Sequence, residues 1–412
     1  MHSAPHSSHQ IVGLLDVGTA KVACAILLRE TGGATRVIGL GHQRARGLKA
    51  SVIVDADAVE DSVRSAVSQA EQMAGAKMDE VVMSAACGRL SSTHLAVGLE
   101  LAGPAVVSAD MDKLFEAGRR HADQDDRSAL HLEALCVRLD GHPVAGPVIG
   151  RKGARLAADV HLISADRAPL RHLIHVAERC HLRVAALAPS PLVSGLAVTT
   201  PDERAQGVIA IDCGAGTTGL ALFAGGICMG AHVLQVGGNH LTYDLTRALG
   251  TPLIEAERIK KNYAIGETAH SARDDAIAYI ARENTHAAAE SVAAKQVTRA
   301  AITSILTSRV DALLQQILLR IQRAGVPVHL LRQVTLTGGG SLLPLLAERA
   351  LAVLDRPVRL APPRQLGGWP HALLQPAFAT VVGLHYAAFN PALGQRLALA
   401  PPTADVWRRH SV

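Results

Sequence analysis

The chain has 412 residues, of which 49% are hydrophobic but only 2% aromatic, and a formal net charge of +5. That length predicts more than one domain with aliphatic cores. The mild basicity, with no basic run interleaved with stacking aromatics, excludes a nucleic-acid partner, and six scattered cysteines without a CxxC pair exclude a disulfide framework or zinc site.

The opening MHSAPHSSHQ is polar and lacks the apolar stretch of a secretory signal. No apolar run approaches the ~18 residues of a membrane span, so a cytosolic location is the default expectation. From Ile11 the segment IVGLLDVGTAK reads as an apolar strand, then Asp16, Gly18, Thr19 and Lys21, then a second apolar run, 22–28. A strand is predicted at 36–41. Residues 47–54 lead into a helix beginning near Asp55, with Val59, Val63, Ala66, Val67, Ala70 and Met73 on one face and Gly75 at its end. A short strand follows at 80–84.

From about 88 to 164 small and polar residues predominate. A short helix after Ser108, a strand at 135–140, a Gly/Pro-rich link and an alternating strand at 157–164 predict an inserted small α+β unit. A helix at 167–180, a strand at 184–187 and a helix at 191–198 return to the first unit, and 201–206 reads as a polar linker.

The segment VIAIDCGAGTTGLALF then repeats the first plan: a buried strand ending at Ile211, Asp212 opening a tight loop, and a strand resuming at Leu220. Backbone amides of Gly214, Ala215 and Gly216 with hydroxyls of Thr217 and Thr218 suit a polyphosphate, and Asp212 suits a hydrated divalent cation. Two such hairpins, with Asp16 and Asp212 close to half a chain apart, predict a duplicated domain with a nucleotide between the copies.

Residues 226–236 pair back on the second hairpin, and VGGNHLTYDL begins a helix. Residues 274–294 are polar and Ala-rich, as an outer lobe would be, and 301–324 carry a wide apolar helical face. VTLTGGGSLLPLL predicts a strand, three glycines that let backbone approach a ligand closely, and Ser341 capping the next helix.

The order of two phosphate hairpins and a GGG loop resembles the actin-like ATPase superfamily, and within it the chain most resembles the bacterial cell-division family FtsA. The resemblance spans nearly the whole chain. It lies in LLDVGTAK, AEQMAG, GPVIGRKGARLAADVHLIS, GVIAIDCGAGTTGLALFAGG, VLQVGGNHLTYDL, TPLIEAERIKKNYA and LTGGGSLLPLL. It implies an α/β, two-lobed actin-like (ribonuclease H-like, duplicated) fold with an inserted small α+β subdomain.

The implied division is a disordered tail (1–10), a first core subdomain (11–87 and 166–205), the inserted subdomain (88–165) and a second core subdomain (206–251 and 330–375). An outer lobe (252–329), a return to the first core (376–400) and a tail (401–412) complete it. The family's activity implies ATP and Mg2+ in the interlobe cleft and filaments formed by self-association on the cytoplasmic face of the inner membrane, at the division septum. It also implies binding to the C-terminal peptide of the tubulin-like FtsZ and recruitment of later division proteins.

Carried over by position, Asp16 and Asp212 would organise the magnesium water shell. Gly18, Thr19 and Lys21 would hold phosphates from one lobe, and Gly214, Gly216, Thr217 and Thr218 from the other. Gly237, Gly238 and Asn239 would sit by the ribose–phosphate side, Glu257 and Lys260 would reach ribose or adenine, and Gly338, Gly339, Gly340 and Ser341 would back the nucleoside.

Two positions depart from relatives: Gly219, where many have an acid, and Ser190, where many actin-fold kinases and chaperones have Glu. Ala215 also replaces a usual glycine. No group at either of the first two positions could orient an attacking water, so slow or negligible hydrolysis is expected. After Pro401 and Pro402, the short TADVWRRHSV places Val406 and Trp407 beside Arg408 and Arg409, a miniature interfacial anchor or else a polar tail. Two alternatives stay open: an Hsp70-like or kinase-like ATPase of the same fold, and an actin-like protein of pilus or secretion assembly.

Overall fold

A computed structural model describes residues 10–30, 33–123, 125–263, 275–282 and 292–389. The tail sequence carrying Val406, Trp407, Arg408 and Arg409 lies outside the described residues, as do 1–9, 264–274, 283–291 and 390–400.

The first lobe opens with β1 (Gln10–Val17) and β2 (Lys21–Arg29), an antiparallel hairpin, followed by β3 (Thr35–Arg44). Six consecutive residues of β2 are buried, which fits a strand covered on both faces. A short pair, β4 (Leu48–Lys49) and β5 (Val52–Ile53), precedes α1 (Ala56–Ala74). Asp55 caps α1 by accepting from the Ala58 amide, and Gly75 ends it at φ 64°. The helix buries Val59, Val63, Ala66, Val67 and Ala70, whereas Met73, expected on that face, is largely exposed because it falls at the stripe's margin in the last turn. β6 (Glu80–Ala85) runs parallel to β1.

The chain then forms β7 (Ser91–Glu100), α2 (Ser108–Asp123), β8 (Arg127–Leu139), β9 (His142–Pro143) and β10 (Arg155–Asp166). These strands make a separate antiparallel sheet in the order β7-β10-β8-β9. Leu114 of α2 packs on Leu132, Leu156, Val160 and Leu162 in a core of their own. β8 extends well N-terminal of the strand expected at 135–140, and β7 has no counterpart in the sequence reading. Its residues alternate between partly buried and exposed, so it carries little apolar signal.

α3 (Arg167–Arg179) leads to β11 (Arg183–Pro189), parallel to β6, which completes a sheet ordered β11-β6-β1-β2-β3. α4 (Ser190–Val198) follows. Residues 201–206, read above as a linker, form a short helix, α5 (Pro201–Gln206). A capping box drives it: Thr200 Oγ1 accepts from the Glu203 amide while the Glu203 carboxylate accepts from the Thr200 amide.

The second lobe repeats the plan. β12 (Val208–Cys213), β13 (Thr218–Ala224) and β14 (Ile227–Leu234) form an antiparallel meander, then come α6 (Gly238–Leu249), α7 (Leu253–Tyr263), the hairpin β15 (Ala276–Arg282) and β16 (Val292–Thr298), and α8 (Arg299–Arg323). β17 (Gln333–Thr337), α9 (Pro344–Leu354), β18 (Val358–Leu360) and α10 (Ala379–Phe389) close the described chain. The second sheet is ordered β14-β13-β12-β17-β18, with β17 parallel to β12 and β18 parallel to β17. This matches the first sheet strand for strand, an antiparallel meander extended on its first strand by two parallel ones. α4 and α10 are buried in one core with residues of both sheets, including Val208, Ala210 and Phe223. Asp212 therefore sits within β12 rather than opening the loop, which spans residues 214–217.

Candidate functional site

The β1–β2 and β12–β13 turns close in the same way. The Gly18 amide donates to the Lys21 carbonyl at 3.0 Å, and the Gly214 amide donates to the Thr217 carbonyl at 2.9 Å. Each turn follows a strand whose last residues include a carboxylate, Asp16 opposite Ala23 and Asp212 opposite Gly219. The turns meet at Gly216, where an added Cβ would lie 2.6 Å from Thr19 Oγ1 and 2.9 Å from Ala50 Cα. Only a residue without a side chain admits so close an approach. The space between the turns is a cleft of about 490 Å³, within the range that takes small ligands.

Asp16 and Asp212 both line this cleft. Asp16 accepts from Ser84 Oγ at 2.6 Å, and Asp212 accepts from Thr380 Oγ1 at 3.1 Å. Burial raises both carboxyl pKa values above the usual range; for Asp16 the Ser84 bond and Lys21 oppose the rise, and for Asp212 the nearby Asp16 adds to it. Burial also lowers the Lys21 pKa, against the pull of the two aspartates. Its ammonium donates to the Ala377 carbonyl and lies 4.0 Å from the centre of the Phe378 ring.

Two half-buried carboxylates raised in this way suit a divalent cation, whose charge would favour their ionised forms. Among the described residues no cluster of three or more His, Cys, Asp or Glu side chains could hold a metal, so a cation here would keep several water or phosphate ligands, as Mg2+ does.

Beside the second turn, the first amides of α6 are engaged by it: Gly238 donates to Gly214 and Asn239 to Ala215, at 2.9 and 2.7 Å. Gly238 and Asn239 line the cleft, whereas Gly237 lies behind it against the Gly214 and Ala215 carbonyls. On α7, Glu257 and Lys260 lie 2.6 Å apart, and the Lys260 ammonium also donates to the Gly238 carbonyl at 3.0 Å and Thr242 Oγ1 at 2.8 Å. Burial works to raise the Glu257 pKa, but bonds from Lys260 and Thr242 outweigh it and hold the carboxyl low. Burial lowers the Lys260 pKa in spite of Glu257.

Gly338, Gly339 and Gly340 form a wall of the cleft. Gly338 adopts φ 83° and ψ 162°, a region open essentially to glycine alone, and a Cβ there would lie 2.3 Å from Asp212 Oδ1.

Besides Gly237, two further sequence-derived residues stand apart from this surface. Thr218 is fully buried and donates to the Val236 carbonyl at 2.7 Å, because side chains alternate along β13 and its own points inward. Ser341 is buried and donates to the Gly338 carbonyl at 2.7 Å; it stabilises the tight turn after β17 and does not cap α9, which begins at Pro344 behind Leu343. Conversely Ser51, Ser84, Ala377 and Thr380 line the cleft and were not singled out from sequence. Their partners are distant in the chain, and no local motif announces them. Ser190 and Gly219 also line it. A Cβ on Gly219 would lie 3.2 Å from Pro191 Cγ, so α4 leaves little room for a side chain there.

The family described as Cell division protein FtsA matches residues 209–383. The protein of that name from Rhizobium meliloti (strain 1021) is 35% identical over 396 residues, covering 92% of this chain and 87% of its own length. That from Neisseria meningitidis serogroup B is 30% identical over 378 residues, covering 92% and 90%. Among solved structures, the PilM-PilN type IV pilus biogenesis complex superposes with a TM-score of 0.63 at 16% identity, covering 92% of this chain and 99% of that one. MreB 5 of Spiroplasma citri bound to AMPPNP does so with a TM-score of 0.55 at 14% identity, covering 94% and 99%. The duplicated architecture is the actin-like fold.

Proposed function

The chain belongs to the FtsA family of cell division proteins, and on that premise we propose that it is an ATP-binding, filament-forming adaptor that tethers FtsZ to the inner membrane at the septum. The observation that carries the nucleotide part is the pair of matching turns, one from each lobe, touching at Thr19 and Gly216 around two half-buried carboxylates. Gly18, Thr19 and Lys21 would hold phosphates from one side and Gly214, Gly216 and Thr217 from the other. Asp16 and Asp212 would orient the waters of Mg2+, while Glu257, Lys260 and Gly338–Gly340 would seat the nucleoside. Bound between the lobes, ATP would act as a structural link that favours self-association.

Turnover would be slow. Among the described residues the cleft carboxylates are Asp16, Asp212 and Glu257, and each already accepts a hydrogen bond from a neighbouring side chain. Orienting a water for in-line attack would need a further acceptor at Ser190 or Gly219. Val406, Trp407, Arg408 and Arg409 would supply the membrane contact, multiplied by avidity along a filament.

The test is co-sedimentation of the full chain with vesicles containing anionic lipid, with Mg-ATP and an FtsZ C-terminal peptide. Peptide pelleting only with the chain present is expected. Failure to carry the peptide down would remove the tethering role, and rapid steady-state ATP hydrolysis would move the protein to the ATPase alternative.

A further inference from the structure

Ser51 sits in the turn between β4 and β5, on the rim of the cleft. Its backbone and that of Ala50 are both left-handed, at φ 63° and 48°. Two consecutive non-glycine residues in that region are uncommon, and such strain persists only where surrounding contacts hold it. Here they do. The Gly47 carbonyl accepts from the Val54 and Asp55 amides at 2.8 and 3.1 Å, which anchors the turn to the start of α1. The Ser51 amide donates to Thr19 Oγ1 at 3.1 Å, which ties it to the first-lobe turn.

The result is a hydroxyl aimed across the gap between lobes. Ser51 Oγ lies 3.4 Å from Thr217 Oγ1 of the second-lobe turn. That separation is well beyond the ~2.7–2.8 Å usual for a hydroxyl pair. Other hydroxyls lining the cleft are engaged by carboxylates: Ser84 with Asp16 at 2.6 Å and Thr380 with Asp212 at 3.1 Å. Ser51 and Thr217 flank a space and hardly satisfy each other.

The polarity of the cleft says what would fill that space. Glu257, Lys260, Lys261, Leu342 and Leu343 line the cleft from the second lobe, while the first lobe contributes Asp16 to Lys21, Ser51, Ser84 and Ala86. A nucleotide with its nucleoside on the second lobe directs its phosphate chain toward the first, so the last phosphate meets the paired turns. We propose that Ser51 is a specificity-determining residue that, with Thr217, donates to the terminal phosphate and makes the cleft prefer a nucleoside triphosphate over a diphosphate. This rests on the nucleotide-binding role proposed above. It also gives that role a direction, since a terminal phosphate accepting from both hydroxyls would hold the lobes together and a diphosphate would leave the pair apart.

The test is competitive displacement of a fluorescent nucleotide from the full chain, in Mg2+, by the β,γ-imido analogue of ATP and by ADP. Ser51→Ala removes the hydroxyl and keeps the strain; Ser51→Gly removes both, and glycine accepts the local backbone, so that variant folds. Both variants are expected to weaken the triphosphate analogue by about tenfold, the worth of one charge-assisted hydrogen bond, with ADP affinity nearly unchanged. Equal discrimination in wild type and both variants would overturn the proposal, as would loss in Ser51→Ala with full discrimination in Ser51→Gly, which would assign the effect to strain. Wild type that binds both ligands equally well overturns the Ser51 role and leaves nucleotide binding standing. Wild type that binds neither overturns both.

Discussion

Thr19 and Gly216, from opposite halves of the chain, touch across the cleft so closely that a methyl group on Gly216 would overlap the Thr19 hydroxyl, at 2.6 Å. The contact sets how far the two lobes can close and so where any shared ligand must sit. Gly216→Val should hold the turns apart. Its expected effect is a loss of Mg-ATP affinity of about tenfold or more, with circular dichroism and the thermal midpoint of the ligand-free protein near wild type. Affinity within a factor of about two of wild type would mean that the turns do not act on one ligand.

Gly338 supports a prediction about folding. Its φ of 83° and ψ of 162°, with Asp212 Oδ1 and the Cys213 carbonyl within 2.5 Å of any Cβ, leave no room for alanine. Gly338→Ala should destabilise the protein by about 1–3 kcal/mol in backbone strain alone, read as a lower urea midpoint. An unchanged midpoint would show that the loop relaxes freely.

The inserted sheet docks on β14 through histidines. His161 Nδ1 lies 2.9 Å from the Cys228 carbonyl, and His94 Nε2 lies 2.8 Å from that of Met229. Burial first, and then the neighbouring His131 and His94, lower the His161 pKa from 6.5 to about 3. Burial likewise takes His232 to about 4. Both are neutral in the fold and protonate more readily when unfolded, so between about pH 6.5 and 4 the unfolded state binds more protons. Stability is therefore full above pH 6.5 and falls as pH drops through this window, by about 1.4 kcal/mol per pH unit for each group. Urea denaturation from pH 7.5 to 5 should show this slope, and His161→Gln should reduce it by roughly one proton. An identical slope in the variant would place the titration elsewhere.

The sequence conveyed the parts of this structure that repeat. The strand–Asp–Gly pattern at Asp16 and again at Asp212 is local, so both turns and the cleft between them could be anticipated. What could not be read were side-chain directions and long-range partners. Thr218 looked like a ligand-facing hydroxyl beside Thr217, yet alternation along β13 turns it inward to Val236. Ser341 had the look of a helix cap, but a 3-10 turn over Gly339–Leu342 intervenes before α9. Ser84 and Thr380, which hold the two aspartates, reach them only after the sheets have formed. The helix at 201–206 was legible in principle, since Thr200 and Glu203 are a capping-box pair, but its polarity outweighed that signal.

The most direct measurement is calorimetric titration of the full chain with ATP, with and without Mg2+, beside Asp212→Asn and Asp16→Asn. Each aspartate is half-buried with its pKa raised by desolvation, and so costs the ligand-free fold stability once the unfolded carboxyl is ionised. That cost is absent below the unfolded pKa and is complete once pH has risen through the folded one. The asparagine variants should therefore keep or gain thermal stability without ligand while losing about 10–100-fold in Mg-ATP affinity, the usual effect of removing a group that orients a metal's shell. Single-site binding that needs Mg2+ and falls in both variants is the expected result. No saturable binding in wild type, or binding indifferent to both substitutions, would contradict a cation-bound nucleotide held between the two turns.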